Sequence, residues 1–219
     1  MINYVFFDFN GTIIDDVDLC LELLNKILIG QNKPIVNMDK YKDIFTFPII
    51  EYYRRAGVDF DIESYESLSH KFIVEYQPRS YTCSLYDGCV ETFKYLKDKG
   101  VKLYVLSASE RNNLLAQCKN FNIVEYFDDI LGINNIFAAS KYDIAYNYLL
   151  NHNINPKEAL FIGDTLHDNE IARKLGANSI LVSCGHQSVN VLSSANTKII
   201  GSVSNLRGIW DEISNWWNI

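Results

Sequence analysis

Cysteine is scarce in this chain and follows no pairing pattern. The five present, Cys20, Cys83, Cys89, Cys118 and Cys184, are odd in number and contain no C-x-x-C spacing. Neither a disulfide framework nor a zinc site is expected, and the thiols read as buried groups of a reducing cytoplasm. Long apolar runs are missing as well: none reaches the roughly 18 residues that a membrane helix needs. The N-terminus enters an apolar strand pattern at Tyr4, which leaves no room for a charged segment followed by a hydrophobic one. Neither secretion nor a membrane partner is therefore expected. Basic residues are the minority charge, 20 Lys and Arg against 27 Asp and Glu, for a net charge of -7. Nucleic-acid affinity comes largely from Lys and Arg neutralising phosphates, so that class of partner is disfavoured, whereas a small anion held in a local site is not. There is no internal repeat and no low-complexity tract. These absences describe a cytoplasmic protein, with composition not distinguishing a monomer from a homodimer.

What is present is enough apolar material for a medium domain with a smaller one appended: 219 residues, 48% of them hydrophobic. The stretch that organises the rest is Tyr4-Val5-Phe6-Phe7-Asp8-Phe9-Asn10-Gly11-Thr12. Four residues of high β-propensity lead into a carboxylate, and Asn-Gly then lets the backbone turn. In an open parallel sheet, ligands bind at the carboxyl ends of strands, so Asp8 is expected to face a pocket. The N-H groups of Phe9, Asn10 and Gly11 beside it are candidates for an anion-binding nest. Taken alone, Asp8 reads equally well as an acceptor of turn hydrogen bonds.

Apolar residues at Val17, Leu21, Leu24 and Leu28 predict a helix over residues 13 to 29, with acids at its favourable N-terminal end. Two or three more amphipathic helices follow between Met38 and Tyr76, with no convincing strand among them. From Tyr86 the chain alternates: helix 90–99, strand 102–107, helix 112–121, strand 129–131, helix 142–151, strand 159–163, helix 168–175, strands 179–183 and 198–203, and a last helix 206–217. Such alternation predicts an α/β fold with a doubly wound parallel sheet covered on both faces. The helical block interrupts it after the first strand, so the domains are expected to be 1–14 with 83–219 as the core and 15–82 as an insertion.

Beyond the Asp8 strand, Asp164 and Asp168 lie four apart in LFIGDTLHDNEIA, just past another apolar strand. Three carboxylates in one pocket would repel each other and a phosphate unless a hard cation sat among them, and magnesium fits that need. Asp168 also reads as a simple helix cap. Lys141 in AASKYDIA stands at a helix start, where the dipole disfavours a cation unless an anion is near. Ser107 ends the strand in LYVLSAS and offers a hydroxyl, although Ser109 is easily confused with it and a turn-forming serine is a common alternative.

Taken in order, FFDFNGTIIDD, LYVLSAS, AASKYDIA and LFIGDTLHDNEIA resemble the haloacid dehalogenase-like superfamily, most closely its phosphoglycolate phosphatase-like branch, over nearly the whole chain. The resemblance implies a Rossmannoid core with a helical cap of the C1 type. It implies a magnesium-dependent phosphatase acting on a small phosphorylated metabolite, with Asp8 as the nucleophile that becomes an aspartyl-phosphate. Phosphate would be held by Asp8, Phe9, Asn10, Gly11, Ser107, Ala108 and Lys141. The metal would take Asp8, the Asn10 backbone carbonyl, Asp164 and, directly or through water, Asp168. One position departs: the family motif is Asp-x-Asp-Gly-Thr, and Asn10 stands where the second Asp would be. That residue normally acts as acid and base, and an amide cannot exchange the proton. Asp15, Asp16, Glu110 and His167 are candidates to stand in. The change also admits a low-turnover phospho-ligand-binding or regulatory protein. It equally admits a phosphotransferase or a phosphonate hydrolase using Lys33, Lys40, Lys42 or Lys71 as an imine former. For substrate recognition the cap offers Phe47, Tyr52, Tyr53, Arg54 and Arg55, and the core offers Glu110, Arg111, His167 and His186. Tyr52 and Tyr53, adjacent on a helix, are not expected to face the same way.

Overall fold

In a computed structural model, which describes residues 1–133 and 140–214, the chain forms a six-stranded parallel sheet flanked by helices. The strands are β1 (Tyr4–Phe7), β4 (Lys102–Glu110), β5 (Asp129–Ile133), β6 (Ala159–Gly163), β7 (Asn178–Val182) and β8 (Lys198–Ile200), in the order β5-β4-β1-β6-β7-β8. β1 lies in the middle, with Phe7 in register with Val105 of β4 on one side and Ile162 of β6 on the other. Its side chains alternate between two cores, as the period of a strand requires. Phe6 stacks on Tyr104 and Phe161 at ring separations of 4.6 and 4.9 Å. That layer is completed by α7 (Lys141–Asn151) and α8 (Leu166–Leu175). Val5 and Phe7 point the other way, toward α5 (Cys89–Asp98), α6 (Arg111–Asn120) and α10 (Leu206–Ile213). Burying both faces is what makes β1 read as an uninterrupted apolar run.

Between β1 and α5 lie α1 (Val17–Gly30), α2 (Met38–Ile44), α3 (Ile49–Ala56) and α4 (Tyr65–Ser80). They share their own apolar cluster, which includes Leu24, Leu28, Tyr41, Tyr52 and Leu68. Where the chain leaves the sheet and returns, β2 (Ile14–Asp15) pairs antiparallel with β3 (Ser84–Leu85). This pairing is why the first helix starts at Val17 and not at residue 13: Ile14 and Asp15 pair with Leu85 and Ser84, far along the sequence and out of reach of local periodicity. Other bounds also move. β4 runs on to Glu110, and β8 stops at Ile200 before a 3-10 turn at Val203–Asn205. The predicted end of the last helix, Trp217, lies outside the described residues. Of the five cysteines, all free, Cys89 and Cys118 are buried, whereas Cys20, Cys83 and Cys184 are half-buried. Among the described residues no helix is long and apolar enough to cross a membrane.

Candidate active site

Three central strands end side by side, and each delivers a polar group to the same edge. Asp8 follows β1, and its N-H still donates to Ile162 O at 2.7 Å, so the ladder carries it to the rim of the sheet. Ser107 lies within β4, buried, where its hydroxyl accepts from the Ser109 N-H at 3.1 Å. Asp164 follows β6, and Asp168 stands in the first turn of α8, where it forms a reciprocal cap with Thr165. Gly163, the last residue of β6, is required beside Asp168: a Cβ there would lie 2.2 Å from Asp168 Cγ. One oxygen from each of Asp8, Asp164 and Asp168 falls within 4.8 Å of the others.

Lys141 enters this space from the N-terminus of α7, behind the capping Ser140. Its Nζ donates to Asp8 Oδ1 at 2.5 Å and to Asp168 Oδ1 at 2.6 Å, with the lysine side chain 7% exposed. Burial works against its charge, but Asp168 and Asp8 outweigh it and raise its pKa, so it stays an ammonium. One ammonium does not balance three carboxylates. Burial pushes Asp8 up to about 8, with Asp168 and Asp164 adding to the rise against the pull of Lys141. Burial likewise lifts Asp164 to about 6, against the pull of His186. Asp168 alone falls below the ordinary range, because Lys141 and the Thr165 hydroxyl more than offset its burial. A buried group of oxygen donors with unbalanced negative charge is the donor set of a hard divalent cation, so these residues fit magnesium.

A second buried polar group lies behind Asn10. The Asp16 carboxylate accepts from Gly11 N-H at 2.9 Å, from Asn10 Nδ2 at 2.8 Å and from the Tyr76 hydroxyl at 2.6 Å. His186 Nε2 lies 3.3 Å from Asp16 Oδ1, and His186 Nδ1 lies 2.7 Å from the Tyr41 hydroxyl. Burial opposes both charges. His186 and the surrounding donors nevertheless hold Asp16 below its ordinary 3.8, and Asp16, Asp164 and Asp8 hold His186 above its ordinary 6.5. A lowered carboxylate stabilises the fold above its unfolded pKa and loses that effect as pH falls through the lowered value. A raised histidine stabilises fully below its unfolded pKa and loses the effect as pH rises through the raised value. The pair therefore contributes most between pH 3.8 and 6.5. Breaking a buried pair costs roughly 3–5 kcal/mol, but glutamine at 186 keeps a donor, so His186→Gln is expected to lose about 1–2 kcal/mol in that window. Urea titrations should show the deficit shrinking at higher pH. A deficit independent of pH would mean that the ring acts by shape and not by charge.

The carboxylates open into a cavity of about 510 Å³ lined by residues of α1 to α4 and of the sheet edge. Asp8, Asn10, Ser107, Ala108, Lys141, Asp164 and Asp168 all line it. Phe9 and Gly11 do not. The turn curls back so that Gly11, at φ +68°, sends its N-H to Ile14 O and Asp16 Oδ1, and the Phe9 side chain is buried in the core. The expected nest is thereby reduced, since the Gly11 donor is turned away from the cavity. Tyr52 and Tyr53 both line the cavity, against expectation, because adjacent helical positions about 100° apart still fit within one broad apolar stripe. Phe47 also lines it and stacks on His167 at 4.8 Å.

The arginines go elsewhere. Arg54 pairs with Glu51 and lies over Phe60, Arg55 is exposed, and Arg111 reaches Ile130 O and Asp129. Among the candidate stand-in acids, Asp15 is exposed on β2, and Glu110 caps α6 through the N-H groups of Asn112 and Asn113. Asp16 sits behind Asn10 with no exposed side-chain surface. The pairing of Asp16 with His186 was the feature least accessible to sequence reasoning. The two stand 170 positions apart, and the only local signal is the doubled acid Asp15-Asp16.

The chain is similar to several known proteins. Residues 5–182 match the family described as Haloacid dehalogenase-like hydrolase. The tyrosine-protein kinase PtkA of Mycobacterium tuberculosis is 24% identical over 198 residues, 90% of this chain and 67% of that protein. Phosphoglycolate phosphatase 1 of Pseudomonas aeruginosa is 23% identical over 189 residues, 83% of this chain and 70% of that protein. Among solved structures, a haloacid dehalogenase-like family hydrolase from Streptococcus pneumoniae superposes with a TM-score of 0.78 at 20% identity, covering 95% of this chain and 98% of that one.

Proposed function

The chain belongs to the haloacid dehalogenase-like hydrolase family, and on that premise we propose that it is a magnesium-dependent phosphatase acting on a small phosphorylated metabolite through an aspartyl-phosphate on Asp8. The observation that carries this reading is the meeting of Asp8, Asp164 and Asp168 with Lys141 at the floor of a cavity. Asp8, the Asn10 carbonyl, Asp164 and, directly or through water, Asp168 would hold the metal. When bound, magnesium would neutralise the phosphoryl oxygens and keep Asp8 ionised. Lys141 holds Asp8 Oδ1 and orients the carboxylate, leaving Oδ2 to attack phosphorus. The same ammonium, with the Ser107 hydroxyl, then stabilises charge on the transferring group. Water hydrolyses the aspartyl-phosphate and restores Asp8. The relatives' names, a phosphoglycolate phosphatase and a tyrosine-protein kinase, both describe a phosphoryl group moving to or from oxygen, the chemistry proposed here.

We read the helices α1 to α4 as a cap that closes over this site and selects the substrate. The phosphonate-hydrolase alternative has little support, since none of Lys33, Lys40, Lys42 and Lys71 lines the cavity. Lys33 pairs with Asp59, Lys71 pairs with Glu63, and Lys42 donates to Cys184 O.

Magnesium at about ten times its Kd is expected to raise the melting temperature by about 3–6 °C, the effect of roughly 1.4 kcal/mol on a chain of this size. Asp164→Asn should abolish the shift. The same preparation should release phosphate from acetyl phosphate only when magnesium is present. Absence of both the thermal shift and metal-dependent release would remove the proposal.

A further inference from the structure

The upper wall of the cavity is built from rings. Phe45, Phe47, Tyr52, Tyr53 and Phe72 all line it, and α4 presents Tyr65, Ser69, Phe72, Ile73 and Tyr76 at helical spacing along one stripe. Five acids line it, but Asp8, Asp164 and Asp168 are the group that would hold the metal, Asp16 is covered and paired with His186, and Glu110 caps α6. Among the described residues, Lys141 is the sole lysine or arginine in the lining, and Asp8 and Asp168 already engage it. His186 is likewise taken up by Asp16 and Tyr41. A second anionic group on the substrate, such as the carboxylate of a phosphorylated hydroxy acid, would be taken out of water here with no lysine or arginine of its own to pair with. A flat uncharged group would lie against the rings and lose only water.

A separate observation bears on the leaving group. The Asn10 amide cannot act as a general acid near neutral pH, so the departing oxygen must leave without acid help from that position. Phenolates leave readily without it and alkoxides do not. A third observation concerns the far wall: the Ser69 hydroxyl oxygen is buried and, among the described residues, has no hydrogen-bond partner. Ser69 is one of the cavity-lining residues, so an unpartnered hydroxyl stands in the wall just beneath the cavity surface.

We propose, building on the phosphatase reading above, that the substrate is a phosphate monoester of an uncharged aromatic alcohol, with its ring held between the aromatic wall and α4. In the step, Asp8 Oδ2 forms a bond to phosphorus, the bond from phosphorus to the phenolic oxygen breaks, and its electron pair leaves on the phenolate. The phenolate takes its proton from solvent, and water then cleaves the aspartyl-phosphate to free phosphate and the Asp8 carboxylate.

The test uses the full chain with magnesium and a pair of esters that differ in charge and little in shape, 4-carbamoylphenyl phosphate and 4-carboxyphenyl phosphate. Acetyl phosphate and 2-phosphoglycolate serve as controls. The carboxylate ester is expected to show a KM at least about tenfold higher than the amide, the effect of moving a carboxylate out of water with no cation to pair with. Ser69→Lys, which adds a cation to the far wall, should narrow that gap by about tenfold, with leaving-group differences cancelling between the two enzymes. Equal KM values for the two esters, or a preference for 2-phosphoglycolate, would overturn the aryl assignment while acetyl phosphate hydrolysis keeps the phosphatase reading. Failure to hydrolyse any of the four would overturn both.

Discussion

Asp8→Asn is expected to lower magnesium-dependent phosphate release by at least about 10³-fold, because it removes the atom that bonds to phosphorus and not a group that merely assists. The substitution keeps the shape, and the amide oxygen can still accept from Lys141, which retains Asp168 as its second partner. Its effect on stability should have the opposite sign. Asp8 is a carboxylate whose pKa is raised from 3.8 to about 8 in the fold, chiefly by burial. The folded state therefore holds that proton more tightly than the unfolded chain, and ionising Asp8 destabilises the fold progressively as pH rises from the unfolded to the folded value. Removing the charge removes this penalty. Without divalent cation, the variant should consequently be more stable than the parent at pH 8 and indistinguishable from it below the unfolded pKa of 3.8. A residue kept at a cost to the fold, and lost with a gain in stability, is the pattern expected of catalytic groups. Activity within about tenfold of the parent would remove Asp8 as the nucleophile. Equal pH dependence of stability in both proteins would remove the unbalanced carboxylate cluster.

The elements that position Asp8, Ser107, Lys141, Asp164 and Asp168 were legible in the sequence because each depends on a local transition. An apolar run ends, a glycine or a capping residue turns the chain, and a polar side chain is left at the rim. Sheet order then brings those rims together; the alternation of strands and helices implied the parallel sheet, while the order of its strands comes from the structure. What was not legible depends on closure in space. The Gly11 N-H turns to Asp16, Asp16 meets His186, and β2 finds β3, each through contacts that no local period encodes. The cavity wall was misread for a related reason. Helical geometry alone implied that Tyr52 and Tyr53 would not face the same way, but α3 packs against neighbours that leave both rings beside one broad cavity.

Asn10→Asp is expected to raise turnover of alkyl phosphates by about 10²-fold, within the usual range for general acid-base assistance, while changing aryl phosphates by less than about threefold. The surroundings of Asn10 give the reason and set a condition. Its Nδ2 donates to Asp16 Oδ2 at 2.8 Å and to the Tyr76 hydroxyl at 2.5 Å, while its Oδ1 faces the Ser109 hydroxyl at 3.5 Å. An amide suits this place because Asp16 is ionised, held by His186 and Gly11, and needs a donor. A carboxyl introduced at position 10 would stand against that carboxylate, and two acids so close cannot both ionise. Because Asp16 is anchored by His186, the proton should settle on the new group and raise its pKa. That makes it an acid near neutral pH, hydrogen-bonded to Asp16 in the resting state and facing the cavity where an alkoxide would depart. Phenolates need no such proton, so their hydrolysis should barely respond. The gain should also depend on Asp16: in the double change Asn10→Asp with Asp16→Asn, the repulsion that raises the pKa is gone, and the advantage on alkyl esters should fall. The measurement is kcat for an alkyl and an aryl ester across pH in the parent, the single and the double variants. If Asn10→Asp leaves alkyl turnover flat, a resident group already supplies the proton, and the preference for phenolic leaving groups loses its chemical basis.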